Sequence, residues 1–233
     1  MVQFTEFDTT RNAADNVPIL LDDVRASCDR VLNALRVDYG WSDGDWRMVT
    51  VNRLRNVIQS ALAVRVFQWV IFPNDNFWKA FFEGVPSPDQ MMDHFRELDM
   101  MARFAALHGM FSALEADVRT IVSRIDPNAC GGGKATFDSI VKWLLVRVAS
   151  AAQYSDFAEV VRLTRNTIHN NGVHRPTNGQ NITIQYKGRV FVFIVDQPIE
   201  FAGWDFVAFV GHELLGLLST LVTDQAIVGL PST

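Results

Sequence analysis

SPDQMMDHFRELDMMARFAALHGMFSALEADVRTIVSRI, Ser87 to Ile125, decides the fold class. It opens with a serine able to cap a helix, a proline whose missing N–H costs nothing at a first helical position, and a glutamine three residues on that completes a capping box. No proline follows until Pro127, and Phe95, Leu98, Met101, Ala102, Ala105, Leu114, Val118, Ile121 and Val122 keep an apolar seam. That spacing predicts one helix of about forty residues with a face to bury, ended by DPNACGGGK.

The flanks read the same way. After a polar leader, Pro18 to Val37 places Ile19, Leu20, Val24, Val31, Leu32 and Leu35 on one helical face. WSDGDW supplies a turn and caps, and from Trp46 an apolar pattern runs to Ile71, where Pro73 stops it. A short aromatic helical turn and a loop, FPNDNFWKAFFEGVPSPDQ, connect it to the long helix. Beyond the long helix, FDSIVKWLLVRVAS is helical. So is SDFAEVVRLTRNTIHNN, with Ser155 as cap and Asp156 and Glu159 near the positive end of the dipole. NITIQY, the turn KGR and VFVFIV form a hairpin at about 181–196. A last amphipathic helix runs from Trp204 to Ala226. The predicted class is mainly α: an up-and-down helical bundle with one C-terminal β-hairpin before the last helix. Residues 1–85 form an N-terminal helical part packing on the bundle, and 86–233 the main helical domain.

A 48% hydrophobic share and 20% charged residues exclude a disordered, collagenous or coiled-coil chain. The formal charge of −5 excludes the all-round basic surface of a non-specific duplex binder. Cys28 and Cys130, the two cysteines, can build neither a disulfide framework nor a cysteine zinc site. The leader MVQFTEFDTTRNAADN resembles neither a signal nor a transit peptide, so a cytoplasmic location is expected. The apolar runs at 61–72 and 206–222 are interrupted by Arg65 and Gln68, or by His212 and Glu213, and read as buried helices with no membrane partner.

Charge is unevenly spread. Arg162 to Arg189 holds five basic residues and no acid, +5 locally, which leaves −10 for the rest. The cluster RLTRNTIHNNGVHRPTNGQN lies at a helix end and in the loop after it, where a rigid element can present side chains to a ligand. At about 100° per residue, Arg162 and His169 fall within ~20° of each other and Arg165 and His169 within ~40°. Arginine offers permanently charged donors matched to phosphate oxygens, and histidine moves protons near neutrality. Phosphodiester chemistry uses that combination. Asn166, on the Arg162 face, can orient a phosphate or the His169 ring through its amide. The competing reading is a plain helix terminus, because Arg and His complement the negative end of the dipole and Asn-Asn-Gly stops helices. His108, amid Leu107, Met110 and Phe111, reads as a packed or interface histidine, the alternative being that it faces the motif; His94 reads as solvated surface, and Glu115 with Arg119 as a surface or dimer-interface pair.

An arginine and a following histidine with four to six residues between them, and a polar residue beside an arginine, resemble the signature of HEPN-domain proteins. Arg162-x6-His169 lies at the upper limit of that spacing, while Arg165-Asn166 supplies the Arg-Asn pair one residue short of His169. The resemblance covers roughly residues 90–225. It implies a metal-independent endoribonuclease acting on single-stranded RNA, of the kind that serves stress response or phage defence. Two motifs would converge in a homodimer, with no metal and no cofactor. Arg162, Arg165, Asn166 and His169 would be the catalytic set, His169 moving the proton and the arginines stabilising developing charge. Asn170, Asn171, His174 and Arg175 would contact the RNA. A second reading is a non-catalytic helical dimerisation module that binds nucleotide, nucleic acid or a protein partner. A third is an all-α domain whose Arg-Asn-His cluster only closes a helix.

Overall fold

Ser87 caps the long helix as its sequence predicts: its Oγ accepts the Gln90 N–H at 3.3 Å, while Gln90 Oε1 accepts the Ser87 N–H at 2.9 Å. The computed structural model describes residues 5–72, 74–82 and 84–232. Its elements run α1 (Thr5–Tyr39), α2 (Trp46–Ile71), α3 (Asp75–Phe81), α4 (Pro88–Ile125), α5 (Phe137–Arg147), α6 (Ser155–His169), β1 (Ile182–Tyr186), β2 (Arg189–Phe193), α7 (Trp204–Val222) and α8 (Gln225–Val228). The protein is mainly α, a helical bundle carrying one hairpin.

Four details differ from the sequence expectation, two of them helix boundaries, each for a physical reason. The first helix starts at Thr5, with Pro18 inside it. Val17, Leu21 and Val24, all buried around the proline, hold the helix against the bundle despite the lost hydrogen bond. Ser155 does not cap α6 through its side chain, because a 3-10 helix (Ala149–Tyr154) runs straight into α6 and the Ala152 carbonyl accepts the Ser155 N–H. The GGG stretch, read from sequence as part of a stop, lies in a second short 3-10 helix, Ala129–Lys134. The last predicted helix splits, since Asp224 accepts the Ala226 N–H and starts α8 afresh, so two helices follow the hairpin.

The hairpin turn is two residues, Lys187 and Gly188, both at positive φ (48° and 75°), with Arg189 already in β2 opposite Tyr186. That is the turn whose twist suits an antiparallel pair. Ile184, Tyr186, Phe191 and Phe193 face inward and are buried, while Val190 and Val192 face outward. The inner face packs on Phe157 of α6 and on Phe201, Phe206 and Phe209 beside or within α7.

Side chains of α1, α2, α4, α5, α6 and α7 share a single buried cluster. α1 and α2 pair, α4 lies on α2, and α7 runs among all three, with Val207, Val210, Leu214, Leu221 and Val222 fully buried. By length and composition α7 is apolar enough to cross a membrane, yet 67% of its apolar window is buried inside the fold. Most of its apolar surface is taken up by the core. His94, expected at a solvated surface, is half-buried with its ring 5.1 Å from Phe82 and 5.8 Å from Trp78.

Candidate functional site

α6 separates its faces cleanly. Phe157, Val160, Val161, Leu163, Thr164 and Thr167 are buried, which leaves Arg162, Asn166 and His169 on the open side. The helix ends in a Schellman closure: the Gly172 N–H reaches the Thr167 carbonyl at 2.9 Å and the Asn171 N–H reaches Ile168 at 3.1 Å. Asn171 takes the left-handed conformation this closure requires (φ 56°). Gly172 follows at φ 81°, where a Cβ would come within 3.2 Å of Phe104.

The chain then folds back over the open face of α6 and encloses a cleft of about 370 Å³. Six of the eight residues singled out from sequence line it: Arg162, Asn166, His169, Asn170, His174 and Arg175. Asn171 is not among them and serves the helix stop. Arg165 is also outside, because Glu115 of α4 accepts its Nη2 at 2.8 Å and its guanidinium lies 5.9 Å over the Phe137 ring. Glu115 also holds Arg119 at 2.8 Å, so the expected local Glu-Arg pair is one part of an interhelical cluster of three.

Arg162 is already engaged. Glu159 accepts its Nε at 2.7 Å and its Nη2 at 2.5 Å, with Asp138 of α5 at 3.9 Å. The bonds to Glu159 raise the guanidinium pKa further above its ordinary value, against the opposing effect of burial. Arg175 is looser, 65% exposed and 3.6 Å from Asp196, so its charge is the more available of the two.

His174, read from sequence as a loop residue at the phosphate, is only 2% exposed. Its N–H donates to the Gln197 carbonyl at 3.0 Å, its carbonyl accepts the Asp196 N–H at 2.9 Å, and its ring lies 5.4 Å from Phe193. Burial lowers its pKa, the Gln180 main chain opposes that, and Arg162 reinforces it. The ring is therefore neutral at pH 7. Its Nε2 is buried with no hydrogen-bond partner.

Two further groups stand here that the set chosen from sequence did not include, one of them His108, for which facing the motif was the alternative to a packed position. His108 of α4 is exposed, with its ring edge-on to His169 at a centroid distance of 5.6 Å. The two are 61 positions apart, so no local spacing could have paired them. Glu159, by contrast, was legible as the residue three before Arg162. Among the described residues no set of three or more His, Cys, Asp and Glu side chains converges as a metal site. Comparison with protein-family models, with curated proteins and with solved structures finds no match to this chain.

Proposed function

We propose that the cleft beside α6 binds single-stranded RNA and cleaves it as a metal-independent endoribonuclease, with a homodimer as the working unit in the cytoplasm. The observation that carries this reading is the convergence of Arg162, Asn166, His169, Asn170, His174 and Arg175 on one cleft. The resemblance of Arg162-x6-His169 to the HEPN signature also supports it. The second imidazole, His108, adds what the chemistry requires, since a cleavage of this type needs both a base and an acid.

In this reading His169 takes the proton from a ribose 2′-hydroxyl, and the 2′-oxygen bonds to the adjacent phosphorus. The phosphorus–O5′ bond breaks and His108, protonated, gives its proton to O5′. The products are a 2′,3′-cyclic phosphate and a 5′-hydroxyl. Arg162 stabilises the charge that develops on the phosphoryl oxygens as substrate draws it from Glu159, and Arg175 holds a neighbouring phosphate. Arg165 braces α6 on α4.

One observation favours the second reading, a module that binds nucleotide, nucleic acid or a protein partner without cutting. Both arginines of the motif are already ion-paired, Arg162 with Glu159 and Arg165 with Glu115. The deciding experiment incubates the protein with 5′-labelled single-stranded RNA in excess EDTA, beside His169→Ala and Arg162→Ala. The expected result is fragments ending in 2′,3′-cyclic phosphate, reduced on the order of 10²–10⁴-fold in His169→Ala with the fold unchanged. A folded protein that binds the RNA and leaves it intact overturns the ribonuclease reading in favour of the binding module.

A further inference from the structure

At the edge of the cleft, α4 and α6 bring two imidazoles together in the open. His108 and His169 are both exposed, with ring centroids 5.6 Å apart and ring planes at 90°. Imidazole nitrogen holds zinc at about 2.0–2.1 Å, which puts the metal about 3.2 Å from each ring centre and two such centres about 5.2 Å apart at the tetrahedral angle. The observed spacing lies about 0.4 Å beyond that value, a difference that a small tilt of the side chains closes. The edge-on arrangement needs one ring to turn until both in-plane lone pairs meet. Exposed side chains change rotamer in picoseconds to nanoseconds, so the turn is open to them.

The surroundings suit a cation. His169 is the last residue of α6, at the negative end of the helix dipole. The arginines nearby are each offset by an acid, Arg162 by Glu159, Arg165 by Glu115 and Arg175 by Asp196. Imidazole donors select zinc, copper and nickel over magnesium and calcium, which take oxygen. Among the described residues no third His, Cys, Asp or Glu joins the pair, so water completes the coordination. Such a site is open and its ion exchangeable, in contrast to the closed four-ligand sites that hold structural zinc.

We propose that His108 and His169 together bind one divalent ion of the zinc class, and that the bound ion switches the cleft off by occupying the nitrogens through which protons move. The binding step stands on the geometry of the two exposed rings. Its inhibitory consequence rests on the reading of the cleft as a ribonuclease, because coordination denies His169 the lone pair of a base and His108 the proton of an acid. Coordination also ties α4 to α6 across 61 positions of chain. The folded protein therefore binds the ion more tightly than the unfolded chain does, and the ion stabilises the fold.

The test titrates zinc chloride into the untagged, metal-stripped protein by calorimetry, with thermal melts in zinc and in EDTA. His108→Gln and His169→Gln are run beside it, with His212→Ala as control, since the His212 ring pairs with Asp23 of α1 instead. Wild type and His212→Ala are expected to bind one zinc per chain and to melt at a higher temperature in zinc. Each Gln variant is expected to melt in EDTA as wild type does, to lose the zinc-dependent rise, and to bind at least about tenfold more weakly, since even outer partners of a metal change affinity on that scale. Magnesium chloride is expected to do neither. No one-to-one binding of zinc by wild type overturns the inference whatever the variants do, and so does tight binding that survives in either Gln variant. Labelled RNA that is cut in EDTA is expected to stay whole in buffered zinc, with half-inhibition at the concentration that half-saturates the site. Cutting that persists with the site filled overturns the inhibitory role. No cutting in EDTA removes the ribonuclease reading, and the metal site is then judged on the calorimetry alone.

Discussion

Asp117 lies on α4 at 1% exposure, its Oδ1 bonded to Arg53 Nη1 and its Oδ2 without a partner. Burial pushes its carboxyl up to about 7, with Arg53 and Thr50 pulling the other way. The folded protein therefore holds this proton between about pH 4 and pH 7, where the unfolded chain has released it, so stability falls as pH rises through that window. At about 1.4 kcal/mol per tenfold, the whole effect is bounded at about 4 kcal/mol. Asp117→Asn, which keeps an acceptor for Arg53, is expected to gain stability over wild type as pH rises from 5 to 8. Urea denaturation at both pH values checks it, and an unchanged difference between the two proteins sinks the assignment. Arg53 and Asp117 are 64 positions apart, so this pair could not be read from sequence, just as Arg165 could not be assigned to Glu115.

Where α7 crosses α1, Gly211 sets the distance. A Cβ added there would lie 2.8 Å from Val24 Cγ1 and 3.4 Å from Ile58 Cδ1. Val24 is β-branched and fully buried, and has no rotamer freedom with which to yield. Alanine gains about 1 kcal/mol of helix propensity over glycine, but overpacking a tight core costs about 1–3 kcal/mol. Gly211→Ala is expected to lower the melting temperature by several degrees, and a raised Tm would show that the helices slide apart at little cost. The elements themselves were largely readable, because a capping box, a period of 3.6 and a Lys-Gly turn act over a few residues. Two boundaries were not. Pro18 looked like a helix start until packing around Val17 and Leu21 carried α1 through it, and Asp224 restarted a helix that composition alone made continuous.

The C-terminal segment is fastened to the turn between α1 and α2 through Arg47. At 1% exposure it lies between the Trp41 and Trp46 rings, pairs with Asp45 at 2.7 Å, and donates to the carbonyls of Val228 (2.7 Å) and Leu230 (3.1 Å). Trp46 Nε1 adds a bond to the Pro231 carbonyl at 3.0 Å. Arg47→Ala strands Asp45, itself 3% exposed, and these carbonyls. The expected loss is about 3–5 kcal/mol by chemical denaturation, with faster proteolysis after residue 224, and the Asp45→Asn, Arg47→Met double variant is expected to recover part of it. A loss under about 1 kcal/mol in Arg47→Ala would mean that the clasp is not closed in solution.

The amino-acid sequence by itself determined the helical class, the long capped α4, the hairpin, and a face of α6 carrying Arg162, Asn166 and His169. Each of these depends on backbone hydrogen bonds and side-chain periodicity within about one or two turns. Only the tertiary structure decided which partners those side chains meet. It gave Arg165 to Glu115 across 50 positions, set His108 beside His169, and buried His174 against residues 193–197. Those contacts follow from the crossing of helices and the return of a loop, where competing partners are ranked by distance and burial, and chain spacing carries neither.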